Sequence, residues 1–125
     1  SQLGATDMLE EIAKMIGEES IKLAEQEISR FKADYPECEV DQETKVHLIQ
    51  MVNSQLTFKI NELKIKEDIS AEDQFDQWLS AGVEDSIGKS CYHYLDDERK
   101  KRIKDDDENL SFLERYLRDH KRGRK

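Results

Sequence analysis

Apolar residues along this chain recur at intervals of three and four, the spacing of a helix face, and alternating β-branched runs are absent. In the first third, Leu9, Ile12, Ile16 and Leu23 share one face. Ile21, Ala24, Ile28, Phe31 and Tyr35 share a second face rotated from it. The change falls near Gly17, which predicts a kink there or two short helices. Asp7 followed by Glu10 reads as a capping box for the start. Pro36 is the only proline; it disfavours helix at Tyr35 and makes residues 36–40 a turn.

The most regular stretch comes next. Val46, Ile49, Asn53, Leu56, Ile60 and Leu63 repeat at the spacing of a packed seam. Met51, Phe58 and Ile65 widen the stripe on one side, and Leu48 and Val52 on the other. With Asp41 as N-cap, the pattern predicts a helix to about Lys66, roughly 39 Å long. Asn53 has two readings: an edge residue facing water, or a seam residue that fixes register and oligomeric state.

Ser70 with Asp73 marks another helix start, and Phe75, Trp78 and Leu79 supply its apolar face. Gly82 and Gly88 bracket residues 83–87 as a short helix or a break. Beyond them lies a charged block in which Asp96 precedes Lys100, and Glu98 precedes Arg102, by one helical turn. Asp105, Asp106, Asp107 and Glu108 read as the acidic first turn of a last helix. Its stripe would be Leu110, Leu113 and Leu117, flanked by Phe112 and Tyr116. The expected fold is therefore all-α: a small bundle of four to six helices with a long second helix, the first two forming an antiparallel hairpin. Residues 1–7 read as a leader or expression remnant, 8–117 as a single helical domain, and 118–125 as a flexible basic tail.

Composition narrows the function. Hydrophobic residues make up 36% of the chain and charged ones 39%, which allows only a narrow core. The net charge is −9, yet Arg118, Lys121, Arg122, Arg124 and Lys125 stand against Asp119 alone at the end. That tail is +4, so the rest carries −9 − 4 = −13. Such a body repels nucleic acid and anionic membranes and attracts basic surfaces. No apolar run approaches the ~20 residues that span a bilayer. Two cysteines and no signal-peptide pattern predict free thiols in a reducing compartment, the cytoplasm or, in a eukaryote, the nucleus.

Catalytic and metal-binding motifs are missing. Cys91 and His93 offer two ligand types without a second pair at zinc-site spacing. The run from Asp105 begins like a calcium loop, then places Leu110 where glycine is needed and Tyr116 where glutamate is needed. No phosphate-binding glycine loop or nucleophile motif occurs. The sequence thus predicts no enzyme, cofactor or metal. It predicts an acidic interaction protein, a regulator, inhibitor or complex subunit, docking on a protein partner with a basic surface. The expected partner-binding residues are Asn53, Phe75, Trp78, Asp105, Asp106, Asp107 and Glu108. Trp78 is either core or interface anchor. A sharper version has the carboxylates mimic nucleic-acid phosphates, and the second-helix seam would also suit a homodimer. The rival reading is a nucleic-acid-associated subunit that uses Arg118, Lys121, Arg122, Arg124 and Lys125.

Overall fold

A computed structural model describes residues 4–109 and 112–123. Five α-helices follow in order: α1 (Ala5–Asp34), α2 (Gln42–Lys59), α3 (Ala71–Trp78), α4 (Glu84–Asn109) and α5 (Phe112–Gly123). A 3₁₀ turn (Ile60–Glu62) ends α2, and a π-type turn (Leu79–Val83) joins α3 to α4. No strand occurs among the described residues, so the fold class is all-α. The chain divides into two compact units between Leu95 and Asp96, whereas the sequence pattern runs one body on to residue 117. The boundary has a physical reason: Ile103 is the only apolar residue from Asp96 to Asn109, so that stretch has little to bury.

In the first unit α1 runs unbroken through Gly17, against the expected kink. Its buried row is Met8, Ile12, Ile16, Ser20, Leu23, Glu27 and Phe31, with Ala24 beside it. Two of these positions are polar, so a count of apolar residues splits one continuous row into two offset faces. Ser20 fits because its Oγ donates to the Ile16 carbonyl at 2.6 Å. Leu9 and Ile21, which helped to define the offset faces, are exposed. The helix starts earlier than the capping-box pattern predicts: Gly4 is the N-cap, without a side-chain bond, and Asp7 lies within the first turn.

Asp41 caps α2 as expected, accepting from Thr44 N at 2.8 Å. The helix stops at Lys59 rather than Lys66, because the chain tightens into the 3₁₀ turn and then extends at Leu63 (φ −77°, ψ 118°). Its buried row is Thr44, Leu48, Val52 and Leu56, a four-residue ridge. Val46 and Asn53 are exposed, and Ile49, Ile60 and Leu63 are half-buried. Packing against α1 selects one row of a wide stripe, and it is not the row with the best sequence spacing. The Lys45–Glu25 ion pair at 3.3 Å ties the two antiparallel helices.

Ser70 caps α3, accepting from Asp73 N at 3.1 Å. The preceding loop is fastened by buried Gln74. Its Nε2 donates to the Lys66 and Ile69 carbonyls at 2.5 and 2.8 Å, and its Oε1 accepts from Lys66 N at 2.6 Å. The loop lies beside Met8 and Glu11, at the start of α1. Gly82, at φ +112°, makes the kink between α3 and α4; Gly88 lies inside α4 and breaks nothing. Gly88 faces Glu27, and Tyr92 meets Phe31, so α4 runs parallel to α1. The unit is an up-down-up bundle of α1, α2 and the kinked α3–α4 segment.

In the second unit, Asp105, Asp106 and Asp107 close α4 rather than open a new helix. Acids at a helix C-terminus oppose the macrodipole. A cation from α5 offsets this: Arg118 Nη1 donates to Asp107 Oδ1 at 2.6 Å. The basic segment expected to be flexible is helical through Gly123. Arg124, Lys125 and Leu110 lie outside the described residues, as do the expected leader residues 1–3.

Candidate functional site

The division at Leu95 redistributes the charge. Residues 1–95 hold 20 acidic against 9 basic residues, or −11; residues 96–125 hold 9 against 11, or +2. The acidic body is therefore the first unit alone. The second unit is nearly neutral despite its aspartate block.

The sequence-derived site residues scatter over this frame. Phe75 and Trp78 are buried together in the first unit's core, with ring centroids 5.8 Å apart. Both are thus placed as core residues. Trp78 Nε1 is buried with no hydrogen-bond partner among the described residues. Asn53 faces outward on α2, where Thr57 Oγ1 donates to its Oδ1 at 3.5 Å. Asp105, Asp106 and Asp107 are all exposed at the end of α4. Arg118 is exposed but engaged by Asp107 and by Asp119, the latter at 3.2 Å. The side chains of Glu108, Lys121 and Arg122 lie outside those described.

An apolar surface missed as a site lies on the second unit. Leu113, Tyr116 and Leu117 of α5 are exposed along one face, and Ile103 of α4 is exposed too. The three-four spacing was visible in the sequence; that nothing covers it within the described unit was not. Tyr116 stacks on His120 at 3.8 Å, and the ring Nδ1 of His120 is 2.9 Å from the Tyr116 carbonyl.

A second feature, also missed, is an open cleft of about 270 Å³ where the α3–α4 kink faces α1. Glu27 of α1 lines it, with 6% of its side chain exposed. Arg30 reaches this carboxylate through Nη1 alone, at 3.2 Å from Oε1 and 3.5 Å from Oε2, and is itself 68% exposed. Burial pushes the Glu27 carboxyl above the ordinary glutamate range and neighbouring Asp85 adds to the rise, while Arg30 opposes it. Glu19, further along α1, is raised mainly by burial, with Glu84 and Asp76 adding to it and Lys22 opposing.

These shifts fix the sign of a pH effect. A carboxyl whose pKa is higher folded than unfolded binds its proton more tightly in the folded state. Stability should therefore rise as pH falls from 7 through the raised values toward the ordinary 4.5. Glu27→Gln should be more stable than the parent at pH 7 and gain less on acidification. Urea unfolding at pH 7 and pH 5 measures both; a parent less stable at pH 5 would overturn the expectation.

Potential metal ligands do not converge. Cys91 is buried in the core while His93, two residues on, faces out from α4. Among the described residues no group of three or more His, Cys, Asp or Glu side chains is placed to hold a metal ion. Burial, with a further push from Glu27, drives the Cys91 thiol up to about 12. Native protein should thus yield only Cys38, half-buried in the α1–α2 turn, to a thiol reagent at neutral pH. Cys91 should react only on unfolding, and a timed assay with a chromogenic disulfide reads the two apart.

Among the described residues, no helix is long and apolar enough to cross a membrane. Compared with protein-family models, curated proteins and solved structures, the chain matches none.

Proposed function

We propose that this chain is a non-enzymatic acidic interaction protein of the cytoplasm that docks on a protein partner with a basic surface. The observation that carries this reading is the charge partition. A −11 helical unit, whose exposed apolar residues Leu9, Ile21, Val46 and Phe58 are scattered, is joined to a near-neutral unit that leaves Leu113, Tyr116 and Leu117 exposed on one helix face. A field of one sign steers a basic surface from a distance, and an apolar row holds it once docked. The apolar contact is placed on α5 rather than on α2, because Leu113, Tyr116 and Leu117 adjoin on one face whereas the exposed Val46 and Phe58 of α2 lie twelve residues apart.

Electrostatic docking accounts for the acids better than phosphate mimicry does. On the continuous α4, acids and bases alternate along two of the four rows spaced by four residues: Asp97, Lys101, Asp105, and Glu98, Arg102, Asp106. A phosphate-like array needs acids succeeding one another along one helix face without cations between them. Nucleic-acid binding by the tail is disfavoured too, because Arg118 is already held by two aspartates.

The test is nuclease-treated affinity capture on the full chain, eluted by a salt gradient. A basic polypeptide that survives nuclease, elutes as salt rises and is weakened by Leu113→Ser/Leu117→Ser supports the reading. Retention that vanishes with nuclease, or nucleic-acid binding lost on deleting residues 118–125, would transfer the function to the tail.

A further inference from the structure

Position 27 belongs to the α1 row that otherwise faces the core through Ile16, Leu23 and Phe31. An aliphatic side chain there would continue the core. The chain instead buries a carboxylate, which is unfavourable unless the charge is well paired. The facing helix makes room for it. A Cβ at Gly88 would stand 2.8 Å from Glu27 Oε1, so the glycine leaves the carboxylate its place and any side chain there would make it shift. The carboxylate is incompletely answered: Arg30 touches it through one nitrogen and leaves most of its own side chain in water.

We propose that the cleft beside the α3–α4 kink receives an arginine side chain of a protein partner, whose guanidinium pairs with the two oxygens of Glu27. This rests on the reading of the chain as a docking protein for basic surfaces, and it names one contact of that docking. Two features favour a guanidinium. Its planar fork matches a carboxylate with two parallel N–H bonds, the geometry Arg30 does not supply. It is more weakly hydrated than an ammonium, so it enters a partly buried site at lower cost. Asp85 stands at the rim and already holds a surface cation, Lys89, at 3.1 Å.

The test is an NMR titration of the isotope-labelled full chain with a blocked pentapeptide, Gly-Gly-Arg-Gly-Gly. Lysine and citrulline versions serve as comparisons. Saturable shifts centred on the amides of Gly82, Asp85 and Gly88 are expected, with the citrulline peptide weaker by about tenfold or more. The lysine peptide should fall between them. Glu27→Gln, which keeps the shape and removes the charge, should weaken the arginine peptide by a similar factor. Shifts spread over all acidic helix starts, or an affinity unchanged in Glu27→Gln, would overturn the proposal. A lysine peptide binding as tightly as the arginine one would overturn its choice of guanidinium. The two readings fail separately. Peptide binding at the cleft with no captured protein leaves this site standing and removes the docking function. A captured basic protein that Glu27→Gln binds undiminished does the reverse.

Discussion

Phe31→Ala is expected to cost about 3 to 5 kcal/mol of stability, the range for deleting a buried aromatic ring. Phe31 is fully buried where α1, the following turn and α4 meet. Its ring lies 5.0 Å from Tyr35 and 5.6 Å from Tyr92, and the Tyr92 hydroxyl donates in turn to Asp34. Removing the ring therefore loosens a three-way junction rather than a single contact. Against a typical domain stability of about 5 to 15 kcal/mol, the variant should sit near its unfolding threshold. Phe58→Ala is the control. That ring is 81% exposed on α2, so its loss should change stability by less than about 0.5 kcal/mol. Urea unfolding followed by circular dichroism reads both. Equal effects would mean that the packing described for α1 and α4 does not hold in solution.

Gln74→Ala should be the next most damaging change, at about 2 to 4 kcal/mol. A buried side chain of α3 makes three hydrogen bonds to the backbone of the loop before it. Its loss strands the Lys66 N–H and two carbonyls in a partly buried setting. Glu could still accept from Lys66 N but could not donate to the carbonyls while ionised, so Gln74→Glu should recover only part of the loss. Amide hydrogen exchange supplies the specific readout: protection at Lys66 should collapse in Gln74→Ala while that of Leu48 and Val52 in α2 falls only with global stability. Uniform loss of protection would deny Gln74 its role as a fastener of this loop.

These two residues show why some of the fold was legible and some was not. Local signals read well. Asp41 and Ser70 cap their helices, Pro36 sits in the turn after α1, and no strand was expected or found among the described residues. Row assignment read poorly, because the sequence presents several rows on each helix and only a neighbour selects among them. Phe31 and Phe58 both sit in wide helical stripes, yet one is fully buried and the other is in water. Polar members of buried rows misled most: Ser20 and Glu27 made an unbroken α1 look like two faces meeting at a kink. The aspartate run misled differently. Acids suit helix starts, but here α4 extends through them, and the cation that offsets the dipole comes from α5.

The candidate sites divide along the same line. Trp78 and Phe75 were visible as apolar residues, and burial made them core. The cleft residue Glu27 carried no sequence signal beyond being a carboxylate at an apolar interval. Helix content, the Asp41 and Ser70 caps and the acidic balance follow from local spacing and composition, and the sequence by itself determines them. Three things were decided only by the tertiary structure: which row of each helix is buried, where the charge divides, and which carboxylate is enclosed. The reason is physical. Capping and helix periodicity act over four residues, whereas burial of one row over another depends on partners up to some sixty residues away, as Phe31 meeting Tyr92 shows.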